Sequence, residues 1–111
     1  MKKQVIAIIG LGYWGTIVTN TLVSMNIFRK IYIYDNDYDK SKILKKKFGS
    51  KVDYLSLNEI KKNKQIKNIF LATPPKENFK ILNSLIDFNK NIIIEKPGLI
   101  NSNHYKKIKK K

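Results

Sequence analysis

Residues 5 to 15 read Val5-Ile6-Ala7-Ile8-Ile9-Gly10-Leu11-Gly12-Tyr13-Trp14-Gly15. A β-branched, apolar run breaks into three glycines spaced G-x-G-x-x-G, and a helical pattern follows at once. The reading is a buried strand, a phosphate-binding turn and the start of a helix. Each glycine answers a separate demand in such a turn. Gly10 turns the chain tightly off the strand, Gly12 leaves room for a pyrophosphate against the backbone, and Gly15 lets helix and strand pack closely. Free N–H groups at the helix start, at the positive end of its dipole, then favour a diphosphate. Loop glycines can share this spacing by chance. An apolar strand before it and a helix after it point to a dinucleotide site.

Outward from that turn, helices and strands alternate. The first helix is expected from residue 13 or 14 to 25, with Ile17, Val18, Leu22 and Met25 on one stripe and Asn26 as its stop. A second strand at residues 30–34 sets Ile31 and Ile33 against Tyr32 and Tyr34, and it ends in Asp35-Asn36-Asp37. Asp35 stands twenty residues beyond Gly15, where a dinucleotide fold places its ribose-binding acid. A carboxylate there accepts both ribose hydroxyls of NAD and repels the 2′-phosphate of NADP. A turn or N-cap aspartate would look the same, and Asp37 or Asp39 could take the role instead.

A helix at residues 38–48 follows, with Ile43, Leu44 and Phe48 inward and Gly49 stopping it in the left-handed conformation. Residues 51–54 read as a short strand, and Ser56-Leu57-Asn58-Glu59 matches a capping box. The fourth strand, 69–72, runs into Thr73-Pro74-Pro75, where two prolines force the chain out of the sheet. A helix at 76–88 carries Phe79, Leu82, Leu85 and Ile86, a fifth strand spans 91–94, and Glu95-Lys96-Pro97 comes next. A last helical pattern, 101–111, bears Tyr105 and Ile108. The alternation predicts one α/β domain over residues 1–111, a Rossmann-like, doubly wound parallel sheet in strand order 3-2-1-4-5. Gly10–Gly15, Asp35, Thr73-Pro74-Pro75 and Glu95-Lys96-Pro97 then share one rim, at the switch point between strands one and four.

The 111 residues suffice for one core. There is no cysteine, so neither disulfides nor a thiolate metal site is expected. The apolar runs fall far short of the ~20 residues that span a bilayer. With no room for a signal peptide before the first strand, the expectation is a cytoplasmic protein without a membrane partner. Net charge is +15, and all 23 basic residues but Arg29 are lysine. Nucleic-acid recognition leans on arginine's planar fork, and the lysines are spread over every segment. Drift towards A- and T-rich codons explains that pattern better than a nucleic-acid partner does.

Gly10-Leu11-Gly12-Tyr13-Trp14-Gly15, Ala72-Thr73-Pro74-Pro75 and Glu95-Lys96-Pro97 together resemble the amino-terminal half of the glucose–fructose oxidoreductase/inositol dehydrogenase (Gfo/Idh/MocA) family. The Tyr-Trp pair looks like members that oxidise sugars or nucleotide sugars. The resemblance implies that Gly10, Gly12, Tyr13, Trp14 and Gly15 hold the diphosphate region of NAD, with NADP the lesser alternative, and that Asp35 holds the ribose. It implies that Thr73 and Pro74 line the cofactor, while Glu95 and Lys96 reach the nicotinamide and substrate. Lys96, oriented by Glu95, would exchange a proton with the hydroxyl being oxidised. Asn78 stands where the family often has histidine, and Gly98 where an aliphatic residue is usual. His104 reads as a surface residue. The family continues into a sixth strand and a second α+β domain that contacts substrate. The expectation is therefore a cofactor domain unable to catalyse alone, dependent on a separate substrate domain or self-associating through the edge of strand five. A non-catalytic binding or degenerate fragment is the alternative.

Overall fold

Val5–Ile9 forms β1, and all five of its residues are buried. Alternate side chains serve opposite faces of a strand, so β1 supplies two cores at once. Val5, Ala7 and Ile9 join Ile60, Ile66, Ile69, Leu71 and Leu85 on one side. Ile6 and Ile8 join Leu11, Ile31, Ile33, Leu44 and Val52 on the other. Each fully buried isoleucine contributes about 1.5–3 kcal/mol of burial, which makes β1 the element around which both layers close. The computed structural model describes residues 4–94.

The elements run β1, α1 (Tyr13–Met25), β2 (Lys30–Tyr34), α2 (Tyr38–Phe48), β3 (Val52–Tyr54), α3 (Leu57–Lys62), β4 (Asn68–Leu71), α4 (Pro75–Leu85) and β5 (Asn91–Ile94). Short 3-10 turns at Gly49–Lys51 and Ile86–Phe88 extend α2 and α4. All four strand pairings are parallel, in the order β3-β2-β1-β4-β5. That is the order the alternation predicts, and it sets the carboxyl ends of β1 and β4 side by side.

Local chemistry fixes the boundaries. Asn26 ends α1 in the left-handed conformation, its N–H donating to the carbonyls of Leu22 and Val23. The capping box at α3 is complete. The Ser56 hydroxyl accepts from the Glu59 N–H at 3.1 Å, and the Glu59 carboxylate accepts from the Ser56 N–H at 3.0 Å. The bond from the Ser56 N–H, then the Ser56 hydroxyl beside it, holds the Glu59 carboxyl below the usual range. Helix α4 starts one residue earlier than the pattern suggests, with Pro75 at its first position, where a missing N–H costs nothing.

Three expectations need correction. Gly49 has positive φ (61°) but ψ of −134°, outside the left-handed helical region. Helix α4 ends at Leu85, and residues 86–88 continue as a 3-10 turn. Ile17, Met25 and Ile43, expected to face inward, are exposed. The buried positions are Gly15 and Thr19 on α1, and Ser41 and Leu44 on α2. At Gly15 the approach leaves no room for a side chain, while Val18, Leu22, Leu44 and Phe48 pack against the core as expected. The closing helical pattern at 101–111 and His104 lie outside the described residues.

Candidate functional site

The glycine turn is stitched to both neighbouring strands. The Gly10 N–H donates to the Tyr34 carbonyl at 2.8 Å, and the Ala72 N–H donates to the Ile9 carbonyl at 2.8 Å. Asp35, just past β2, accepts the Leu11 N–H at 2.7 Å through one carboxylate oxygen and the Asp37 N–H at 2.8 Å through the other. The acid after β2 therefore braces the turn as well as bordering it. A carboxylate offers about four lone-pair sites, so acceptor capacity remains for a ligand.

The three glycines are required on different grounds. Gly10 has φ of +99°, and a Cβ there would meet the Ala72–Thr73 backbone at 2.8 Å. A Cβ at Gly15 would sit 1.7 Å from the Gly10 carbonyl oxygen. Both are demanded by the packing of the chain against itself. At Gly12 the backbone is extended and an added Cβ meets nothing within 4 Å. The protein leaves open space over the middle glycine.

That space belongs to a cleft of about 670 Å³ above the carboxyl ends of β1, β2 and β4. Of the residues picked out in the sequence, Gly10, Gly12, Tyr13, Trp14, Asp35, Thr73 and Pro74 all line it. Gly15 does not. It lies buried beneath, where α1 meets β1. Tyr13 and Trp14 meet edge-on, with ring centroids 5.9 Å apart, and stand exposed at the opening. Glu95 and Lys96 lie outside the described residues.

The first turn of α1 carries no acidic residue and no side-chain cap, and Gly12, Tyr13 and Trp14 at that helix start line the cleft. Such an end suits an anionic group. Across the cleft, Asn78 is buried, and the Thr73 hydroxyl donates to its side-chain carbonyl. Asparagine at this position acts as an acceptor that orients Thr73.

Other lining residues carried no sequence signal at first reading: Tyr34, Asn36, Lys40, Glu77 and Ile81 among them. Glu77 and Ile81 fall four apart on α4, one face of a helix, a clue available once that helix is placed. The Tyr34 phenol has its pKa raised, first by burial, then by Tyr54 and by the negative charges of Asp35 and Glu77. Among the described residues no helix is long and apolar enough to cross a membrane.

A family model described as "Oxidoreductase family, NAD-binding Rossmann fold" (GFO_IDH_MocA) matches residues 5–111. The chain belongs to this family. Comparison with curated proteins found no match. Among solved structures, the fold superimposes on GenD2 from gentamicin A biosynthesis, in complex with NAD, with TM-score 0.83 at 21% identity, covering 97% of this chain and 31% of that one. A putative NADPH-dependent oxidoreductase from Desulfitobacterium hafniense gives TM-score 0.85 at 16% identity, over 98% and 31% of the two chains. Apo scyllo-inositol dehydrogenase from Lactobacillus casei gives 0.82 at 17%, over 98% and 33%. At these identities the likeness is one of fold. The chain spans about a third of the length of those structures. Within the Gfo/Idh/MocA family it corresponds to the NAD-binding Rossmann portion, and the cleft lies at that portion's switch point.

Proposed function

We infer that this chain is the cofactor-binding part of an oxidoreductase acting on a hydroxyl of a sugar, nucleotide sugar or polyol, with NAD favoured over NADP. Gly12 is the observation that carries the reading. Its backbone is extended and its surroundings are open, so neither conformation nor packing of the protein itself calls for glycine. A ligand lying against the backbone does. The unfilled helix start beside it and the Tyr13–Trp14 pair suit a diphosphate and its adjoining rings.

Asp35 is proposed to accept the adenosine ribose hydroxyls while holding the Leu11 N–H, so that ribose and glycine turn are positioned by one group. Its charge, with those of Asp37 and Glu77 in the same cleft, disfavours a 2′-phosphate. Thr73 and Pro74 form the opposite wall. When bound, the nicotinamide supplies the hydride chemistry. Lys96, two residues past the end of β5 in sequence and preceded by Glu95, is proposed to exchange the proton of the substrate hydroxyl. Cofactor binding is the part of the reaction assigned to the described residues; the chain spans about a third of the compared structures. A further substrate-contacting region or partner completes the reaction.

Isothermal titration with NADH tests the proposal. Saturable 1:1 binding is expected, weaker for NADPH, and weakened about tenfold or more by Asp35→Ala, which removes a charge-assisted acceptor from ribose and turn together. Absence of NADH binding by chain that melts cooperatively would rule the proposal out.

A further inference from the structure

Acids are scarce in this chain, eight against 23 basic residues, yet Asp35, Asp37 and Glu77 all line one cleft. Uniform enrichment in lysine does not produce such a concentration. The three do not make a cation site, since among the described residues no three Asp, Glu, His or Cys side chains group closely enough to hold a metal ion. Carboxylates set apart around an opening instead suit a ligand whose hydrogen-bond donors are set apart. Two of the three are already engaged. Asp35 holds the turn, and Asp37 caps α2 by accepting the Asp39 N–H at 3.1 Å. Among the described residues the Glu77 carboxylate has no hydrogen-bond or ion-pair partner.

Glu77 lies in the first turn of α4, and Ile81 stands one turn further along the same face. Both line the same cleft as Tyr34, Asn36 and Lys40. The crevice thus has the ring of Tyr34 and the apolar side chain of Ile81 for a flat ring, and the exposed carboxylate of Glu77 beside them. Adenosine carries donors in two places, the ribose diol and the 6-amino group. Resting on the dinucleotide reading above, we propose that Glu77 is a specificity residue for the base: its carboxylate accepts a hydrogen bond from the 6-amino group of adenine. Lys40, a cation lining the same cleft, offers a donor to a ring nitrogen that adenine and hypoxanthine share, so the distinction between those bases falls to Glu77. Hypoxanthine presents a carbonyl where adenine presents the amine, and two acceptors then face each other.

The test titrates the 111-residue chain with NADH and with reduced nicotinamide hypoxanthine dinucleotide. Wild type is expected to bind the hypoxanthine analogue about tenfold more weakly, the scale of one lost base contact. In Glu77→Gln the amide can either accept or donate, and the ratio is expected to fall close to one. Equal affinities in wild type, or an unchanged ratio in Glu77→Gln, overturn the inference while leaving the dinucleotide reading intact. Binding of neither compound to folded chain overturns both.

Discussion

An alanine methyl at position 15 would lie 1.7 Å from the Gly10 carbonyl oxygen, a contact that only separation of α1 from β1 can relieve. Gly15→Ala is therefore expected to destabilise the chain by about 3 kcal/mol, the upper range for overpacking a rigid site, read as a lower urea midpoint at unchanged slope. Gly12→Val inserts its side chain into open space and should leave that midpoint nearly where it is. The motif's spacing identified both residues as glycines that matter. It could not say which served the fold and which served a ligand, because that depends on what a Cβ would touch. Asp35 follows the same pattern. Its distance from Gly15 along the chain marked it as an acid of the rim, whereas its bonds to Leu11 and Asp37 depend on how β2 ends beside the turn.

At the scale of elements, Asp53 on β3 shows how the sheet's outer strand is secured. Its carboxylate meets Lys30 of β2 at 2.7 Å and Lys45 of α2 at 2.5 Å. The bond from Lys30, then that from Lys45, holds the Asp53 carboxyl below its usual range. A carboxyl depressed by folding stabilises the native state above its unfolded pKa of about 3.9, and that contribution is lost as pH falls through the folded value. The group is more than a third exposed, so screening keeps the effect small. Asp53→Asn is expected to lose at most about 1 kcal/mol at neutral pH, with the difference from wild type closing as urea titrations are taken below about pH 4. Element order and most boundaries were legible from apolar runs, glycine and proline. The inward faces of α1 and α2 were legible in part, since Val18, Leu22, Leu44 and Phe48 do pack against the core. Hydrophobic periodicity favours Ile17, Met25 and Ile43, but close helix–sheet contact selects Gly15, Thr19 and Ser41, residues that carry no hydrophobic signal.

Across the whole molecule, the charge of +15 obscures the site rather than marking it. Lysine covers every segment, so net charge alone points to polyanions, while the cleft at the switch point gathers Asp35, Asp37 and Glu77. Strand order and the position of the cleft at the switch point followed from the alternation of elements. The acidic character of the rim did not, because Glu77 joins it from α4 across a fold that brings residues far apart in sequence together. Trp14, the chain's single tryptophan, lies on that rim and borders the same cleft. Its fluorescence overlaps the absorption of reduced nicotinamide, which makes it a built-in reporter of where a dinucleotide sits. Excitation of Trp14 during titration with NADH is expected to give saturable quenching with sensitised NADH emission. Gly12→Val, at an unchanged urea midpoint, should abolish that transfer. No transfer in wild type, or transfer that survives Gly12→Val, would contradict a dinucleotide bound across the glycine turn.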